Sequence, residues 1–459
     1  MPQLRETGQL ALKHEAVEGT ARTLAAADVI EVEDLSSAAS IDRFQPNPRR
    51  TTFGARKSRS GVASRSFPFK VEVRGSGTAT TRSQLFKVLE TGGFRLENAV
   101  SIAIGAITSG PYTHGETVTG GTSSATARVV FDTADGAASM YLVPIAGTLQ
   151  SGETLTGGTS GATCTSSGAP ASLGIVARPW TPQIVKQVSI GAVSGGPFTA
   201  GERITGGTSS AEGRVLLDCE NGDAALVYEV LSGTFQNAEV VTGEDSGATA
   251  TSSSAPADSE FAGASATCGL REGLTTKNGK GARSTLKFVF KNGEPGYLKC
   301  EAMGASVTPS DVALLSGVTY PSTLGPVFDG MALTLGSYSP IFEGLEIDAG
   351  NRRVARRDAN TSGGLKSYVI TNREPTLTID PEEVAVATHP FYTDWEGDVS
   401  RALDFTLGSS AGNRFRFHMP QVQPTEIGEG DREGIATNQL TAQINDTTDS
   451  DQDLTILAY

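Results

Sequence analysis

Alternating apolar and polar positions dominate this chain and predict strands. In STLKFVFKNGEPGYLKCEAMG, residues 284–304, Leu286, Phe288 and Phe290 fall on one side and Lys287 and Val289 on the other. That two-residue period marks a half-buried strand, followed here by a glycine turn and a second strand. ALDFTLGSSAGNRFRFHMP at 402–420 has the same plan and suggests two related halves. Helical periodicity is scarce. One short helix is predicted at 83–90 (SQLFKVLE), stopped by Gly92 and Gly93, and another at 380–386, where Pro381 suits a first helical turn.

Ahead of both hairpins lies an internal repeat. SIAIGAITSGPYTHGETVTGGTSSATARVVFD at 101–132 returns as SIGAVSGGPFTAGERITGGTSSAEGRVLLD at 189–218. A shorter unit recurs inside each copy: Gly115-Glu116 before TGGTSS and Gly152-Glu153 before TGGTSGAT, 37 positions apart, an interval kept from Gly201-Glu202 to Ala238-Glu239. The units read as turn then strand, so each is a short hairpin in a compact β-module. A flexible Gly/Ser/Thr linker is the alternative, but linkers drift in length and this spacing does not.

Composition agrees with an all-β reading: Gly 54 and Phe 18 against Trp 2 and His 4. No run of about eighteen apolar residues is present, and the opening MPQLRETGQLALKHE lacks the apolar stretch of a signal peptide. A soluble protein made in the cytoplasm is expected. Cys164, Cys219, Cys268 and Cys300 have no paired spacing, so buried free thiols are expected rather than a zinc or disulfide framework.

The net charge of -14 is uneven. Residues 101–262 carry 5 basic and 15 acidic side chains, 311–459 carry 10 and 22, and the remainder, 1–100 plus 263–310, carries 22 and 14. The overall acidity argues against tight nucleic-acid binding. Positive charge concentrates at 43–70, where Arg43, Arg49, Arg50, Arg56, Lys57, Arg59, Arg65 and Lys70 occur with no acid, and Pro46, Pro48, Gly54 and Gly61 break regular structure. A solvated cationic loop is the plain reading of such a run.

Segments outside the repeat resemble the major tail tube proteins of long-tailed, siphovirus-type bacteriophages. The resemblance rests on KHEAVEGTARTLAAADVIEVEDLSS at 13–37, RGSGTA at 74–79 before the short helix and GGF at 92–94, TCGLREGLTTKNGKGARSTLKFVFKNGEPGYLKCEAMG at 267–304, and EIDAGNRRVARRDANTSGGLKSYVITNREPTLTIDPE at 346–383. It implies an all-β fold with minor short helices. Tube domain 1, a β-sandwich or barrel, would come from 1–100 and 263–310, tube domain 2 from 311–459, and 101–262 would be an inserted repeat module decorating the outside. It further implies a virion structural protein rather than an enzyme, with no cofactor. Its partners would be its own copies in stacked trimeric pseudo-sixfold or hexameric rings, a tape-measure protein, tail terminator and tip proteins, and genomic DNA passing through the lumen without specific binding. There would be no membrane partner. In that family the loop holding Arg43, Arg49, Arg50, Arg56, Lys57, Arg59 and Arg65 reaches towards the next ring, and its acidic partners would most simply come from 311–459. Opposite charges on the two halves would set register around a ring.

Catalytic constellations are weak by comparison. Gly75-Ser76-Gly77 lacks the strand-helix-strand setting of a dinucleotide site, and in GLTTKNGKGA at 273–282 Gly281 stands where a phosphate loop needs Ser or Thr. His14, His114, His389 and His418 are far apart in sequence, which suggests surface or core histidines. Asp446, Asp449, Asp451 and Asp453 could bind calcium, though they lack the glycine and terminal Glu of the known loop, and a solvated acidic turn is the plainer reading. A different class of function, a carbohydrate-binding adhesin gripping a host surface through its repeats, would need aromatic platforms. The repeats offer Tyr112, Phe131, Tyr141, Phe198, Tyr228 and Phe235, with Trp180 between the copies.

Overall fold

The computed structural model describes residues 8–47, 49, 56–261, 263–446 and 451–459. The protein is all-β, with short α-helices at Gln84–Thr91 and Phe391–Glu396. No helix among the described residues is long and apolar enough to cross a membrane.

One antiparallel ladder organises the body. It runs from Ala38–Phe44 through Arg59–Glu72, Tyr297–Ser306, Thr275–Lys291, Gly344–Asp348, Thr376–Ile379, Ile435–Asn445 and Phe415–Arg432 to Arg401–Leu407. Both hairpins expected from the alternation are present, and Leu286, Phe288 and Phe290 are buried as their spacing requires. Two long strands each serve two ladders. Thr275–Lys291 pairs near its start with Ala266–Glu272, which leads to Gln9–His14. Phe415–Arg432 pairs at its start with Thr455–Ala458, which leads to Ala171–Pro179 and Phe94–Ala103.

The ladder curls so that its two hairpins face each other over an aromatic seam. Phe417 lies 5.3 Å edge-on from both Phe288 and Phe290 and stacks on Phe405 at 4.8 Å. Residues 1–100 with 263–310 and residues 311–459 thus share one hydrophobic core. The helix Gln84–Thr91 packs on this body and ends where the chain must come close. A Cβ on Gly92 would stand 2.1 Å from Leu286, and Gly93 adopts a left-handed φ of 83°. The helix expected at 380–386 does not form. That segment lies along the long hairpin instead: the Glu383 N–H donates to the Ala436 carbonyl and the Asn438 N–H to that of Pro381. The Asp380 carboxylate meanwhile accepts the Glu343 and Gly344 N–H groups. Backbone groups spent sideways are not available for helical turns.

The repeats form two β-modules. The first continues the body ladder through Phe94–Ala103 and Ser139–Ala146 and has its own core around Tyr112, Val118, Leu142 and Leu155. The second, from Gln183–Ser189 to Ala257–Phe261, is a separate seven-stranded sheet around Phe198, Ile204, Leu226 and Val241. Between them, Ala171–Pro179 returns to the body and pairs with the C-terminal strand. All four cysteines are free and buried.

Candidate assembly surfaces and an arginine hub

The repeat motif folds into reciprocal latches. In the first module the buried Glu116 carboxylate accepts the backbone N–H groups of Thr113, Thr159 and Ser160 and the Ser160 hydroxyl, at 2.6–3.1 Å. Glu153 does the same for Gln150, Thr122 and Ser123. Each glutamate thus closes the Thr-Ser turn of the other unit, which accounts for the interval of 37 residues. The second module repeats the exchange, with Glu202 on Ser246 and Glu239 on Thr208 and Ser209. The pattern also explains the first glycine of each TGG: a Cβ on Gly120 or Gly157 would stand 2.5 or 2.8 Å from the facing carboxylate. Burial alone would raise the Glu153 and Glu239 carboxyls, but the converging backbone N–H donors hold both below the usual range.

Glu97, 0 % exposed, joins the modules to the body. Arg95 and Arg178 reach it from the Phe94–Ala103 and Ala171–Pro179 strands, Arg128 from the first module and Arg214 from the second. The Arg178 Nε lies 3.0 Å and the Arg214 Nη1 3.0 Å from its oxygens. Burial opposes its ionisation, yet four guanidiniums keep it charged, well below the usual carboxylate range. Burial pushes Arg178 down to about 10 against the pull of Glu97. Further ion pairs hold the second module to the body: Lys13 to Glu220 at 2.9 Å, Arg22 to Asp223 at 3.0 Å, Arg82 to Asp218 at 2.8 Å and Arg95 to Glu229 at 3.2 Å. A cleft of about 800 Å3 opens between the modules and is lined by Arg82, Asn98, Arg203, Arg214, Glu244 and Asp245 among others.

The basic run of the sequence divides along its length. Arg43 and Arg59 stand on an arm in which Ala38–Phe44 pairs with the start of Arg59–Glu72, and Ala38–Phe44 is exposed throughout. Arg49, Arg56 and Lys57 are exposed near its end, and Arg50 lies outside the described residues. Arg65 sits at the root, buried, donating to Ser37 Oγ at 3.0 Å, with its pKa lowered by that burial. Val62 packs against Ala305, Leu365 and Tyr368 where the arm leaves the body. Beyond Ser64, which faces Ala305, the arm has no further ladder partner among the described residues. Its outer strand is a free sheet edge.

Register gives the arm a direction. Ser64, Ala305, Lys280, Asp348, Thr376 and Gln443 lie towards one end of successive strands, while Glu72, Tyr297, Lys291, Gly344, Ile379 and Leu440 lie towards the other. The arm continues past the first end. The hairpin of Phe415–Arg432 and Ile435–Asn445 continues from Leu440 past the opposite end and carries Glu426, Glu429, Asp431 and Glu433, all exposed.

Other candidates resolve into structure. GLTTKNGKGA forms a turn and part of Thr275–Lys291, and the Gly75 N–H donates to the Asn413 side chain in a packed turn. Asp453 pairs with Arg373 at 2.8 Å and Asp451 accepts from Thr181, while Asp449 lies outside the described residues. Among the described residues no three His, Cys, Asp or Glu side chains converge as metal ligands. All four histidines are buried. Sequence distance concealed one meeting: the His114 and His418 rings lie 4.9 Å apart, beside Phe131. Comparison of the chain with protein-family models and with curated proteins returns no match.

Proposed function

We propose that this chain is a structural subunit that polymerises into the tube of a long, non-contractile phage tail. The observation carrying the proposal is the arm. An exposed two-stranded extension whose outer strand leaves a free edge is the kind of element a neighbouring copy completes. Around it, the all-β body and the resemblance of residues 13–37, 267–304 and 346–383 to tail tube proteins fit the same reading. Rings of three chains in pseudo-sixfold arrangement, or of six, stack around a tape-measure protein and are closed by terminator and tip proteins. The mechanism is geometric, with no bond made or broken. DNA passes along the lumen in ejection, and an acidic lumen keeps phosphates from adhering.

The adhesin alternative loses all but one of its platforms, since Tyr141 alone among the repeat aromatics is half-buried rather than buried. Tyr112, Phe131, Phe198, Tyr228 and Phe235 are 0–2 % exposed, and Trp180 is buried under Arg95 and beside Phe261. Negative-stain microscopy and glycan-array binding of the purified chain test the choice. Rings or hollow tubes with no glycan signal support the tube, and glycan binding by a chain that never assembles overturns it.

A further inference from the structure

The molecule also carries an acceptor suited to the basic arm. We infer that the arm of one copy docks along the free edge of the acidic hairpin, residues 426–433, of a second copy stacked end to end on the first. The inference rests on the tube reading and names the surface that reading leaves open.

Three observations converge. The first is polarity. Arm and hairpin leave opposite ends of one continuous ladder, so translating a copy along the strand direction brings the arm of one towards the hairpin of the next. Such head-to-tail contacts are heterologous and propagate without closing. The second is edge chemistry. Phe415–Arg432 is flanked on both sides as far as Val422, which faces Arg401 and Ile444, but beyond it only Ile435–Asn445 remains as a strand partner among the described residues. The outer edge from Glu426 onward therefore offers unpaired N–H and C=O groups, as Ala38–Phe44 does on the arm.

The third is charge. On the arm, Arg43, Arg56, Lys57 and Arg59 are exposed and enter no ion pair among the described residues; Arg43 donates only to Ser60. On the hairpin, Glu426, Glu429 and Glu433 are likewise exposed and without an ion pair among the described residues. Arg432, the cation of the tip, is already engaged by Asp380 at 2.6 Å, Glu343 at 3.5 Å and Glu382 at 3.7 Å. The tip therefore presents net negative charge to a neighbour. Two free edges, one cationic and one anionic, meet with their charges matched, which fixes polarity and register.

A water-soluble carbodiimide tests the contact in the full-length wild-type chain. It joins the Lys57 amine to a carboxylate as an amide with loss of water. The expected product links Lys57 of one copy to Glu426, Glu429, Asp431 or Glu433 of another, identified by mass spectrometry of mixed isotope-labelled chains. Charge reversal supplies the second readout. Arg43→Glu, Arg56→Glu and Arg59→Glu together, or Glu426→Lys, Glu429→Lys and Glu433→Lys together, should raise the concentration for half-maximal pelleting of assemblies by on the order of tenfold or more. Uniting both sets in one chain should restore assembly. If tubes persist when the hairpin is reversed, or if Lys57 couples elsewhere between copies, this acceptor is wrong and the tube reading stands. A wild-type chain that stays monomeric at every concentration overturns both.

Discussion

Replacing Glu97 by glutamine keeps the shape of the hub and removes the charge that holds it. Arg95, Arg178 and Arg214 are each less than 9 % exposed, and with Arg128 they would be left as buried cations sharing a neutral amide. Breaking a buried ion pair from one side typically costs about 3–5 kcal/mol, because the remaining charge stays desolvated. Glu229, 3.4 Å from Arg214 and 3.2 Å from Arg95, relieves part of that, so the lower half of the range is expected. The loss should be local. Hydrogen exchange should quicken by roughly two orders of magnitude in Ala171–Pro179 and Glu212–Val215, which meet at the hub, while the aromatic seam around Phe417 stays protected. Adding Arg214→Met to Glu97→Gln should recover part of the protection, since it removes one stranded cation. Hydrogen exchange and denaturant unfolding that match the wild type within about 0.5 kcal/mol would refute the argument that Glu97 holds the junction.

Three further outcomes are expected. Glu153→Ala strands the donors of Gln150, Thr122 and Ser123 and should destabilise the first module by about 3 kcal/mol, with Gly120→Ala similar in sign; thermal unfolding followed at Tyr112 and Tyr141 reads both, and a neutral Gly120→Ala would remove the latch. Burial, with His418 beside it and Asp132 opposing, pushes His114 down to about 4, against about 6.5 in an unfolded chain. The unfolded chain then binds the extra proton between those values, so the His114 contribution is present above pH 6.5 and up to ~3 kcal/mol of it is lost as pH falls towards 4. A His114→Gln variant with an unchanged pH slope of unfolding free energy would sink that assignment. Phe417→Ala should cost about 3–5 kcal/mol by emptying the seam between the two hairpins, and loss of one hairpin alone in limited proteolysis would argue against a shared core.

What the sequence made legible was local. Period-two alternation located both hairpins, and Gly92-Gly93 located the end of the first helix, because burial of one strand face and a stop without Cβ leave marks within a few residues. The interval of 37 announced paired units, yet not that Glu116 and Glu153 exchange turns, since that requires knowing the two units pack in opposite directions. The hub could not be read at all: residues 95, 97, 128, 178 and 214 are ordinary charges until two body strands and two modules bring them together. For the same reason 101–262 reads as one insertion, whereas its strand Ala171–Pro179 belongs to the body ladder. The helix at Phe391–Glu396 escaped notice because it is short and fixed by tertiary contacts, with Asp394 paired to Arg401, rather than by its own propensity.

That topology also shapes the decisive measurement. The second module leaves and rejoins the body beside Gly93, where the Trp180 N–H donates to the Gly93 carbonyl and Gly263 lies close by, so residues 183–261 can be excised without cutting the ladder. Negative-stain microscopy of the full chain beside this deletion tests whether the body alone builds a tube. Hollow rings or tubes from both, narrower in the deletion, are the predicted result. A well-folded deletion that never assembles, under conditions where the full chain does, would contradict a tube built by the body, and absence of assembly from both would contradict the tube itself.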